Sequence, residues 1–245
     1  MIELSNDVLV FSFPEVHRDA VLRIEFQRTL RIPDDGGDYP LPPGLGRFPL
    51  RHVDDHSARV PGEWLRRGGV MLPLYQSEAL WLRFESPRGY PFAVKVAAGK
   101  VNAVTGDPWR EELQRRPQDY VAVPEQPWLD GYCVRKGVIR QFVAMPLGSG
   151  YSAEEQLTGR AEHGGIQLLV HPLKREAYER RSKWVPSVPA AETVLSKLAL
   201  ECRADMGLGM GGQMRQEIYV DAQAFADWEL AHRGRCFVHL MNSLM

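Results

Sequence analysis

Charge of either sign in excess, cysteine and long apolar runs are what this chain has least of. Its 30 Lys and Arg stand against 31 Asp and Glu, a formal net charge of −1 over 245 residues. Without an imbalance there is no global field to draw nucleic acid or an anionic membrane, and no nucleic-acid partner is expected. No apolar stretch reaches the roughly 18–20 residues that a bilayer-spanning helix needs, so no membrane span is expected. The first residues, MIELSNDVLVFSFPEV, carry Glu3 and Asp7 and lack a basic start, which argues against a signal peptide. The cysteines, Cys133, Cys202 and Cys236, are odd in number, widely spaced and without a CxxC pair. They fit reduced thiols in a soluble cytoplasmic protein better than a disulfide scaffold.

Period-two patterning is what the chain does have. Leu22, Ile24, Phe26, Leu30 and Ile32 alternate with Arg23, Glu25, Gln27, Thr29 and Arg31. That spacing predicts a long strand with one face buried and one wet. Shorter strands are expected over 8–13, 79–85, 90–97, 101–105, 120–123, 138–145, 166–170 and 217–220; residues 70–75 lead into 79–85, and 236–241 is a final apolar run. Helices are expected over part of 53–67, at 107–116 behind Asp107-Pro108, at 173–183, at 192–203 and after Asp221. Hairpin-like succession without regular βαβ alternation predicts an α+β fold, β-dominated, with mostly antiparallel strands and a few short helices. Residues 33–49 hold five prolines and four glycines in 17 positions and read as a loop excursion from a single domain spanning 1–245.

The chain is organised around residues 120–171, where three apolar runs flank two polar loops, 124–131 and 152–165. Loop 124–131 (PEQPWLDG) offers an aromatic face in Trp128 and acceptors in Glu125, Gln126 and Asp130. That mixture suits contact with a sugar, a peptide or a base, and Gln126, Trp128 and Arg140 are the candidate binding residues. Glu125 and Asp130 could share acid–base work only if the fold brings them within about 5–10 Å of each other. His163 is the candidate base beside them, completing a hydrolase- or transferase-like cleft. The alternative is a strand connection whose tryptophan fills the core. Ser152-Ala153-Glu154-Glu155 reads as a helix capping box. Arg135, Lys136, Arg140, Lys174, Arg175, Arg180, Arg181 and Lys183 form either a phosphate grip or, given the interspersed Glu176 and Glu179, an ion-paired surface.

No cofactor is called for. Gly207-Leu208-Gly209-Met210-Gly211-Gly212 matches GxGxxG, but strand-like residues follow where a dinucleotide site needs a helix. It reads as a glycine-rich turn or a close-packed crossing. His52 and His56 are spaced to share a helix face, yet no third ligand accompanies them, and no metal is assigned.

The strings YPFAVKVAAGKVNAVTG (90–106), VPEQPWLDGY (123–132) and EEQLTGRAEHGGIQLLV (154–170) resemble an uncharacterised protein family whose members are often labelled only "integral membrane protein". The resemblance covers nearly the whole chain. It implies no activity, cofactor or catalytic residue, and it implies a natural chain continuing beyond Leu244-Met245. The two function classes left standing are a binding or assembly module, taking a small molecule or a protein and compatible with homo-oligomers, and an enzyme using Glu125, Asp130 and His163.

Overall fold

Strand-forming residues dominate the chain, and they assemble into two sheets. The computed structural model describes residues 1–37, 39–135, 138–161, 163–181, 206–214 and 216–243. In chain order the strands are β1 (Ile2–Ser5), β2 (Val8–Ser12), β3 (Val21–Thr29), β4 (Gly44–Arg47), β5 (Arg51–His52), β6 (Val70–Leu74), β7 (Ala79–Glu85) and β8 (Phe92–Ala98). They continue with β9 (Val101–Asn102), β10 (Val121–Val123), β11 (Trp128–Leu129), β12 (Gly131–Arg135), β13 (Val138–Pro146), β14 (Ile166–Pro172), β15 (Met206–Met214) and β16 (Gly234–Asn242). The α-helices among the described residues are short: α1 (Gly62–Arg67), α2 (Ala153–Thr158) and α3 (Arg175–Arg180). The fold is therefore α+β and β-dominated, as the patterning predicts.

One sheet runs β1-β2-β3-β7-β13-β12, with β4 on β3, β11 on β7 and β15 on β13. The other runs β10-β8-β14-β16-β6-β5, with β9 on β8. Pairing is antiparallel except between β16 and β6. The alternation in β3 sends Leu22, Ile24 and Phe26 inward, to meet Leu80, Leu82 and Phe84 of β7. Val94 and Val96 of β8, Leu168 and Val170 of β14, and Val238 of β16 belong to the same apolar cluster. The central strands β8 and β14 are buried at every position, as their near-continuous apolar runs require.

Several expectations are corrected. The second face of β3 is not wet throughout: Glu25 and Gln27 are buried, with Gln27 Nε2 donating to Glu25 Oε2 at 2.6 Å and Arg47 and Arg83 beside Glu25. The cover comes partly from 33–49, where Gly44–Arg47 forms β4 instead of staying loop. The 107–116 helix does not form. Its backbone is drawn to other partners: Trp109 N–H donates to Lys100 O at 2.8 Å, and Lys95 Nζ donates to the Glu112 carbonyl. Residues 217–220 are not a strand, because their backbone is taken up by the Gln126 side chain. Met206–Met214 is a strand and not a turn; among its glycines, Gly209 lies so close to Met145 that a Cβ would come within 2.2 Å of Met145 Cγ. The helix expected at 192–203 lies outside the described residues. The capping box forms as read, with Ser152 Oγ accepting from Glu155 N–H at 3.2 Å.

Candidate functional site

Loop 124–131 closes between β10 and β12 and is stitched to residues 216–219. Gln126 is buried. Its Oε1 accepts from Tyr219 N–H at 3.0 Å, and its Nε2 faces Glu217 O at 3.5 Å. Gln216 donates to Trp128 O at 3.2 Å and accepts from Asp130 N–H at 3.0 Å. Gln126 thus spends its polar atoms on the fold. Trp128 is half-buried, and β11 holds it opposite Arg83 of β7.

Asp130 is 1 % exposed. Burial pushes its carboxyl up to about 7, opposed by a hydrogen bond from the Trp128 side chain. Its Oδ1 is buried without a partner, as is the hydroxyl of Tyr132. Burial raises the Tyr132 phenol well above its ordinary range. Glu125 pairs through Oε1 with Arg181 at 3.3 Å, leaving Oε2 buried and unpaired. Arg140 pairs with Asp34 at 3.0 Å and donates to Gly211 O at 3.2 Å.

His163 does not join them. It precedes β14 at the Ala98 end of β8, where Gly99 N–H donates to Gly165 O at 2.7 Å. Glu125 follows β10, whose Val123 lies opposite Phe92 at the other end of β8. Six strand residues, roughly 20 Å, separate those ends. The cleft expected from Glu125, Asp130 and His163 is therefore not formed. His163 Nδ1 instead meets the Arg67 guanidinium, and its backbone N–H donates to Glu154 Oε2 at 3.0 Å. The crevice it shares with Gln167, Phe237 and His239 has a volume of about 10 Å³, room for a single water.

The basic set is dispersed as well. Arg180 pairs with Asp227, Lys174 donates to Ala226 O and Arg175 donates to Val16 O, while Lys136 and Lys183 lie outside the described residues. Arg140, Arg180 and Arg181 are thus ion-paired with Asp34, Asp227 and Glu125, and Lys174 and Arg175 are tied to backbone carbonyls. His52 stands on β5 and His56 in a 3-10 turn. Among the described residues no group of three His, Cys, Asp or Glu side chains could hold a metal ion.

A roomier cleft lies elsewhere, under the segment that sequence patterning makes a helix. Its volume is about 250 Å³, and Asn102, Thr105, Asp107, Pro108, Arg110, Gln114 and Asp119 line it. Beneath it, Lys95 projects from the outer face of β8 and is fully buried. Its ammonium donates to Asp119 Oδ2 at 2.6 Å and to the Glu112 carbonyl, and lies 5.2 Å from the centre of the Trp109 ring. Burial raises the Asp119 carboxyl above its ordinary value, against the lowering pull of Lys95. Asn102 is likewise committed: Oδ1 accepts from Val104 and Thr105 N–H, and Nδ2 donates to Asp119 O. The upper wall differs. Asp107, Arg110 and Gln114 also line the cleft, and among the described residues their side chains enter no hydrogen bond or ion pair.

The signal for this site was a lone lysine within FAVKVAA, an otherwise uncharged strand. A lysine there must find a buried counter-charge. Nothing in the spacing marks Asp119, 24 residues on, as the partner.

Fold and site thus define a β-dominated α+β protein with a polar cleft over a buried Lys–Asp pair. No family model, no curated protein and no solved structure matches the chain.

Proposed function

We propose that this protein is a binding module that takes a small polar molecule in the cleft lined by Thr105, Asp107, Arg110 and Gln114. The observation that carries the reading is the contrast within that cleft. Lys95, Asp119 and Asn102 satisfy one another, while the charged and amide side chains of Asp107, Arg110 and Gln114 stay unengaged among the described residues. A rigid floor with unspent donors and acceptors above it is what orients a small ligand. A cytoplasmic setting belongs to the same proposal, supported by the odd, widely spaced cysteines. So does kinship with the uncharacterised family that the strings at 90–106, 123–132 and 154–170 resemble. Assembly into homo-oligomers has one specific support: β1 stands at the edge of its sheet, with β2 as its one partner strand among the described residues.

The test is a thermal-shift screen against small polar metabolites, repeated on Gln114→Trp, which fills the cleft with an indole. The expected result is a ligand that raises the melting temperature of the wild type and not of the variant. Ligands that act equally on both would remove the cleft from consideration.

A further inference from the structure

We infer that the ligand of this cleft is a small zwitterion, a free α-amino acid with an uncharged side chain. The inference rests on the reading of the cleft as the binding site and specifies what binds there. It starts from the charges available to a ligand. Lys95 and Asp119 face each other at 2.6 Å, and the ammonium is further held by the Glu112 carbonyl and the Trp109 ring. The floor therefore presents no unspent charge. What remains is one carboxylate, Asp107, and one guanidinium, Arg110, lining the same cleft and unpaired among the described residues.

A simple anion would gain Arg110 and meet Asp107 as a like charge; a simple cation would meet the reverse. At comparable separations the two effects are of similar size and largely cancel. A molecule carrying both signs satisfies both groups. Its carboxylate accepts from the Arg110 fork, and its ammonium donates to Asp107. Gln114 then offers an amide donor and acceptor to the rest of the ligand, and Thr105 a hydroxyl, whose oxygen already accepts from Asp107 N–H at 3.2 Å. These partners favour a neutral polar side chain, because a third ligand charge would find no counter-charge. The volume of about 250 Å³ agrees: it lies below the roughly 300–1,000 Å³ of drug-sized pockets.

The experiment is calorimetric titration of the whole chain with L-glutamine, its methyl ester and N-acetyl-L-glutamine. The ester removes the carboxylate charge, and acetylation removes the ammonium. L-glutamine is expected to bind saturably, and each derivative about 10- to 100-fold more weakly. Arg110→Gln should erase the preference for acid over ester and leave the penalty on acetylation. Asp107→Asn should do the opposite. Both positions are exposed, and melting curves check that each variant folds. Derivatives that bind as tightly as L-glutamine, variants that leave both preferences intact, or no binding of L-glutamine, L-serine or L-alanine would overturn the inference. If a ligand lacking one charge binds and Gln114→Trp abolishes it, the zwitterion is wrong and the cleft stands. If no bound ligand responds to Gln114→Trp, the cleft itself is wrong.

Discussion

Asp130, an acid conspicuous in the sequence, is a buried one in the fold. Its carboxyl sits 1 % exposed with one hydrogen-bonding side chain, and burial raises it to about 7. A carboxyl whose folded value lies above its unfolded value near 3.8 favours the folded state fully only below that lower value. The contribution is lost as the pH rises through about 7. The shift corresponds to about 4 kcal/mol. Asp130→Asn keeps the shape and removes the charge. It should be more stable than wild type at pH 8, by up to about 4 kcal/mol, and the gap should close towards pH 4. Urea melts at both pH values measure this, and an equal gap at both would show that Asp130 carries no buried charge. Gln126 is the second case. Gln126→Ala should cost about 1–3 kcal/mol by leaving backbone groups of 217–219 without partners. An unchanged urea midpoint would mean that water replaces the amide.

Among the elements, β3 and the 103–119 segment follow opposite rules. In β3 the local pattern agrees with its environment, so its core side is predictable. Ile24 is fully buried, and Ile24→Asp should cost roughly 3 kcal/mol or more, while Arg23→Ala at an exposed position should be near neutral. Equal melting temperatures for wild type and Ile24→Asp would contradict the placement of that face. In 103–119 the local signals (Asp at a cap, Pro after it) lose to a distant lysine. Lys95→Ala would leave Asp119 buried without its cation, at a cost of about 3–5 kcal/mol. Adding Asp119→Asn should recover part of that loss. Additive effects in the double-mutant cycle would show that the two groups are not coupled.

For the whole molecule, the two sheets share one apolar cluster, and no helix among the described residues is long and apolar enough to cross a membrane. On the proposed reading the protein, expressed alone, should remain in the supernatant of a high-speed spin without detergent. Recovery only from detergent-extracted membranes would contradict that.

Sequence by itself determined the local pattern of this protein. Alternation made β3 legible, apolar runs marked β8, β13 and β14, and Ser152 with Glu155 marked the start of α2, because each signal acts within a few residues. Tertiary structure alone decided what pairs across distance. It set Lys95 against Asp119, tied Gln126 to 217–219, and turned the glycine-rich 206–214 into a strand beside β13. It also parted Glu125 from His163, which 38 positions of sequence place in one stretch and β8 places at opposite ends. Such pairings follow from how strands are ordered and registered in a sheet. That order is set by burial of the whole apolar surface at once, which no single window of sequence contains.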